Sequence, residues 1–84
     1  MKDFELDSKE ATIIKNALPI DQIVEVLAIQ LNRDFYTVKL QSRSKSGVAK
    51  IRCNLISDLQ GSQHEAYLDA ELKQTLRDAI DSIN

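Results

Sequence analysis

A single cysteine, Cys53, rules out an internal disulfide, so the core must hold without a covalent staple. That usage fits a reducing compartment, and a cytoplasmic protein is the expectation. One histidine, His64, and one cysteine cannot supply the four nitrogen or sulfur ligands of a usual zinc site. Two glycines, Gly47 and Gly61, are too few for a phosphate-cradling loop or a dinucleotide fingerprint. The acidic residues nowhere take the D-x-D-x-D-G spacing of a calcium loop. The longest unbroken apolar run, Val26-Leu27-Ala28-Ile29, is far too short to span a bilayer. Residues Met1 to Asp7 alternate charged and apolar side chains, unlike a secretory signal. No cofactor, no metal and no membrane partner are therefore expected.

What is present describes one soluble domain. Eighty-four residues suit a single unit with one modest core, and 43% hydrophobic with 29% charged residues is an ordinary globular mixture. The net charge of −2 conceals a strong segregation. Residues 1–32 carry three Lys against six Asp or Glu. Residues 33–52 carry Arg33, Lys39, Arg43, Lys45, Lys50 and Arg52 against Asp34 alone. From residue 53 onward, Lys73 and Arg77 face six acids. A basic middle between acidic ends bears on partners rather than on fold.

Residues 19–32 look like the organising element. Ile20, Ile23, Val24, Leu27, Ala28 and Leu31 recur at helical spacing, while Val26 and Ile29 lie off that stripe. This predicts a central helix, apolar around much of its circumference and covered on more than one side. Before it, Phe4 and Leu6 alternate with acids and permit a short strand. Asp7 or Ser8 caps a helix with Ile13, Ile14, Ala17 and Leu18 on one face, and Pro19 ends it.

Tyr36, Val38 and Leu40 alternate with Phe35, Thr37, Lys39 and Gln41, which predicts a strand. Ser42 to Gly47 read as a polar turn, with Gly47 free to take positive φ. A second strand follows, with Ala49, Ile51, Cys53 and Leu55 facing inward. Residues 57–61 read as a loop. Ser62 and Glu65 form a capping box before a long helix with Leu68, Leu72, Leu76, Ala79, Ile80 and Ile83 inside. Asp69–Lys73 and Arg77–Asp81 sit four apart on its solvent side.

The expected class is α+β, in (β)ααββα order, with a two- or three-stranded antiparallel sheet packed against helices. Two strands make a poor independent sheet. Residues 3–7 can add a third, or a homodimer can join two hairpin edges. The βααββα order and the length are similar to those of the type I KH domain, an RNA-binding module. The hallmark of that family is a GxxG loop between its first two helices. Here the corresponding corner is Asn16-Ala17-Leu18-Pro19, so the backbone clamp is missing.

No catalytic set emerges, and the expectation is a protein that is not an enzyme. His64 falls in a helix's first turn, where an imidazole is ordinarily a solvated side chain. Cys53 on an inward strand position behaves as a small hydrophobe unless a base activates it. The basic hairpin is what invites a functional reading. Lys39, Lys50 and Arg52 stand on its outward face, Phe35 at one end, and Arg43 and Lys45 at the turn. Those six residues are the candidate partner-binding set. A protein partner of opposite charge, met by the basic hairpin or by the acidic helices, the final one above all, is the first expectation, for a small interaction module or regulator. The alternative is RNA or DNA held through phosphates and a stacked base. A merely solvated outer face would carry the same polar composition.

Overall fold

The computed structural model describes residues 2–61 and 66–83, with Lys2 and Phe4 described by backbone alone. Seven elements follow one another. They are β1 (Lys2–Phe4), α1 (Lys9–Asn16), β2 (Val24–Asn32), β3 (Phe35–Ser42), β4 (Lys45–Arg52), α2 (Cys53–Gln60) and α3 (Ala66–Ile83). The class is α+β. The four strands form one antiparallel sheet in the order β1-β2-β3-β4, each paired with its neighbour.

The expected central helix is a strand. Residues 24–32 pair with β1 on one side and β3 on the other, so the ladder satisfies their backbone groups. The register shifts between Val26 and Ala28, leaving Leu27 as an extra residue in a β-bulge. The bulge resets the alternation: Val24 and Val26 face inward before it, Ile29 and Leu31 after it. Inward positions 24, 26, 29 and 31 therefore break the strict period of two by which a regular strand is recognised. Burial decides the matter, because Ile29 is 1% exposed and Leu27 is 44% exposed. Ile20 and Ile23, the start of the expected stripe, lie outside the strand in the loop before it and are exposed.

With that strand in place the element order is βαβββαα, and the similarity in order to the KH domain ends. The amino-terminal strand adds to β2 rather than to the edge of the β3–β4 hairpin. That hairpin is confirmed, but its turn is tighter than the polar cluster suggested. Ser42 pairs with Lys45, so Arg43 and Ser44 alone make the turn. Arg43 takes φ 60°, as Arg33 takes φ 59° in the β2–β3 turn. Gly47 does not need positive φ; it sits within β4, opposite Leu40.

Cys53 and Leu55 leave the sheet and open α2, which also takes in most of the expected loop at 57–61. The Cys53 N–H donates to the Asp34 carbonyl at 2.8 Å, fastening the start of α2 to the β2–β3 turn. Ser8 caps α1, its hydroxyl accepting from the Ala11 N–H at 3.2 Å. The capping box at Ser62–Glu65 and His64 lie outside the described residues.

One core joins all of these elements. Tyr36, Val38 and Leu40 of β3 and Ala49 and Ile51 of β4 face it, as their alternation predicts. The helices contribute Ala11 and Ile14 from α1, Leu55, Ile56 and Leu59 from α2, and Leu68, Leu72, Leu76 and Ile80 from α3. All three helices therefore cover the same face of the sheet. Asp69 and Lys73 of α3 pair at 2.9 Å as expected, whereas Arg77 pairs with Asp21 at 3.7 Å rather than with Asp81. No described helix is long and apolar enough to cross a membrane.

Candidate functional site

The helices leave the second face of the sheet open. Strand register assembles it in cross-strand rows, because directly opposed residues point the same way. Glu25, Gln41 and Ser46 form one row, and Ala28, Lys39 and Val48 the next. Asp3, Gln30, Thr37 and Lys50 follow, then Asn32, Phe35 and Arg52. No outward residue of β2, β3 or β4 is buried. The Gln30 amide donates to Asp3 at 2.9 Å, which turns the acid at that edge toward its neighbour.

Lys39 and Lys50 thus lie in adjacent rows beside Val48, which is half exposed, and Phe35, also partly exposed. Arg52 belongs to the same face by register, but its guanidinium donates to the Glu71 carboxylate of α3. That pair spends the Arg52 charge on joining sheet edge to helix. Among the expected cations of this face, Lys39 and Lys50 have no carboxylate partner among the described residues.

Arg43 and Lys45 belong elsewhere. They sit at the β3–β4 turn, about 20 Å or more along β3 from Phe35 at ~3.4 Å per residue. Because Val24 pairs with Ser42, the loop preceding β2 is brought against this turn. A cleft of about 670 Å³ opens between them, with Asp21, Gln22 and Ile23 on one wall and Ser42 to Lys45 on the other. The Gln22 Oε1 is buried without a hydrogen-bond partner among the described residues. Composition points to Arg43 and Lys45, whereas a helix over residues 19–32 puts Ile23 on a buried stripe and so hides Gln22 and Ile23 from the site. Pro19 followed by Asp21 was the available signal for an exposed loop.

The chain matches no family model. No curated protein and no solved structure is significantly similar to it.

Cys53 is a free thiol, partly buried at the start of α2, with Sγ donating to the Arg33 carbonyl at 3.8 Å. Burial pushes its pKa up, and the nearby Asp34 carboxylate adds to the rise. A raised pKa leaves less thiolate at neutral pH, the reverse of what a nucleophile needs. Tyr36 is pushed up as well, by burial first and then by Cys53 and Glu10. Cys53 is expected to react with iodoacetamide more slowly in the native protein than in urea at the same neutral pH. Equal or faster labelling of the native form would contradict that environment. Among the described residues, no group of three or more His, Cys, Asp or Glu side chains is placed to hold a metal.

Proposed function

We propose that this protein is a small, non-catalytic interaction module whose principal contact surface is the open face of the sheet. The observation that carries this reading is the segregation of all three helices to the opposite face. It leaves Lys39, Lys50, Val48 and Phe35 together on an uncovered surface. Half-exposed apolar side chains framed by two unpaired lysines suit a protein partner with an acidic rim and a few apolar contacts. Burial and the nearby Asp34 raise the Cys53 pKa, which disfavours the thiolate that a nucleophilic role would need.

Charge reversal at Lys39 and Lys50 together is expected to lower recovery of the native partner several-fold, since rim charges govern encounter and partner choice. Arg52 is unsuitable for that test, because its replacement also breaks the contact with Glu71. Unchanged recovery would remove the sheet face from consideration.

A second reading has its own observation. Phe35 is 42% exposed and shares a cross-strand row with Arg52, an arrangement on which a base can stack. It would appear as RNA or DNA affinity that falls steeply with salt. The net charge of −2 and the commitment of Arg52 to Glu71 favour the protein partner. Edge-to-edge pairing of β4 in a homodimer is a further proposal, consistent with its place at the end of the strand order.

A further inference from the structure

The cleft beside the β3–β4 turn joins three features that the fold does not use. Ile20 is fully exposed and Ile23 is 86% exposed, the two most exposed large apolar side chains among the described residues. Single exposed apolar residues are normal, but these two stand three positions apart in one short loop, with Ile23 on the cleft wall. Across the cleft, Arg43 and Lys45 have no carboxylate partner among the described residues, while the one acid of the lining, Asp21, is already faced by Arg77 at 3.7 Å. The cleft is therefore cationic with an apolar rim.

Arg43 holds this place at φ 60°, a conformation that glycine adopts freely and that strains an arginine. The unpaired Gln22 Oε1 behind the same loop can gain a donor if the loop shifts.

We infer that this cleft docks a short acidic segment of a partner protein. A carboxylate sits between the guanidinium of Arg43 and the ammonium of Lys45, and a neighbouring apolar side chain covers Ile23 on the opposite wall. Arginine suits such a carboxylate because it can engage both oxygens. A membrane surface or a nucleic acid would also offer negative charge, but it would face the field of the whole acidic molecule. A peptide meets the cleft alone. This surface goes beyond the sheet face, with which it shares no residue.

Fluorescence anisotropy with a short labelled peptide of alternating Glu and Leu tests the inference directly. Binding is expected that weakens about tenfold in Arg43→Glu/Lys45→Glu and several-fold in Ile23→Ser. It should be unchanged in Lys9→Gln, a charge change on α1 that touches neither the cleft nor the sheet face. Arg43→Gly, which relaxes the turn, should also weaken binding and guards against a folding artefact. A peptide with Gln in place of Glu should bind far less. The inference is overturned if the Glu/Leu peptide does not bind or if the cleft variants bind it equally. It is also overturned if phosphatidylserine vesicles or a mixed single-stranded RNA, rather than the peptide, respond to the cleft variants.

Discussion

Replacing Ile29 with alanine is expected to cost about 2–5 kcal/mol of stability, whereas Leu27→Ala should cost less than about 1 kcal/mol. Ile29 is 1% exposed and faces Val38 on the covered side of the sheet, so truncation leaves a cavity among side chains that cannot all close on it. Leu27 sits at the bulge, 44% exposed, and its loss returns mostly to water. A domain of this size has a total stability of roughly 4–13 kcal/mol, so the first substitution removes a large part of it. Urea unfolding of both variants, compared at a common m-value, measures the difference. A central helix would reverse the order, because Leu27 lay on its buried stripe and Ile29 beside it.

That reversal shows where sequence periodicity failed. An unbroken strand would have presented inward residues at strict period two. The bulge inserts Leu27, so Val24, Val26, Ile29 and Leu31 point inward with steps of two, three and two. A helical stripe drawn through that stretch captured Ile20 and Ile23, which the fold leaves in solvent. Local chemistry did carry a counter-signal: Ile20, Ile23, Val24, Val26 and Ile29 are all β-branched, and such residues favour strands. Where no bulge intervenes the pattern was legible. Tyr36/Val38/Leu40 and Leu68/Leu72/Leu76/Ile80 face the core as their periods of two and 3.6 require.

The candidate site was legible to a similar degree. The basic middle segment and the outward position of Lys39 and Lys50 follow from composition and alternation. The commitment of Arg52 to Glu71 and the meeting of residues 21–23 with 42–45 do not, since both depend on pairings between distant parts of the chain. The alternation of Ile51 continues through Cys53 and Leu55 and so predicts strand there. The hydrogen bond from the Cys53 N–H to Asp34 turns the chain into a helix there instead.

Gly47→Ala should also destabilise, by about 1–3 kcal/mol, although a methyl group in a strand interior would ordinarily help by about 0.5–1 kcal/mol. The sign is set by α3, which packs along β4 and brings Ile83 over this position. A Cβ at Gly47 would lie 2.5 Å from Ile83 Cγ1 and 2.9 Å from Cδ1. Something must give, and Ile83 is itself packed against the core. In an Ile83→Ala background the clash disappears, and Gly47→Ala should become neutral or slightly stabilising. The double-mutant cycle therefore carries a coupling of roughly 1–3 kcal/mol. A coupling near zero would mean that the last turn of α3 does not rest on β4.

An open sheet face and a cleft at its end both require residues 24–32 to be a bulged strand between β1 and β3. Nuclear magnetic resonance of the labelled protein measures this directly. The account predicts strand-type carbon shifts across 24–32 and cross-strand Overhauser contacts of Ile29 with Val38 and of Val26 with Leu40. Helical shifts with consecutive amide–amide contacts from residue 20 to 32 would contradict it.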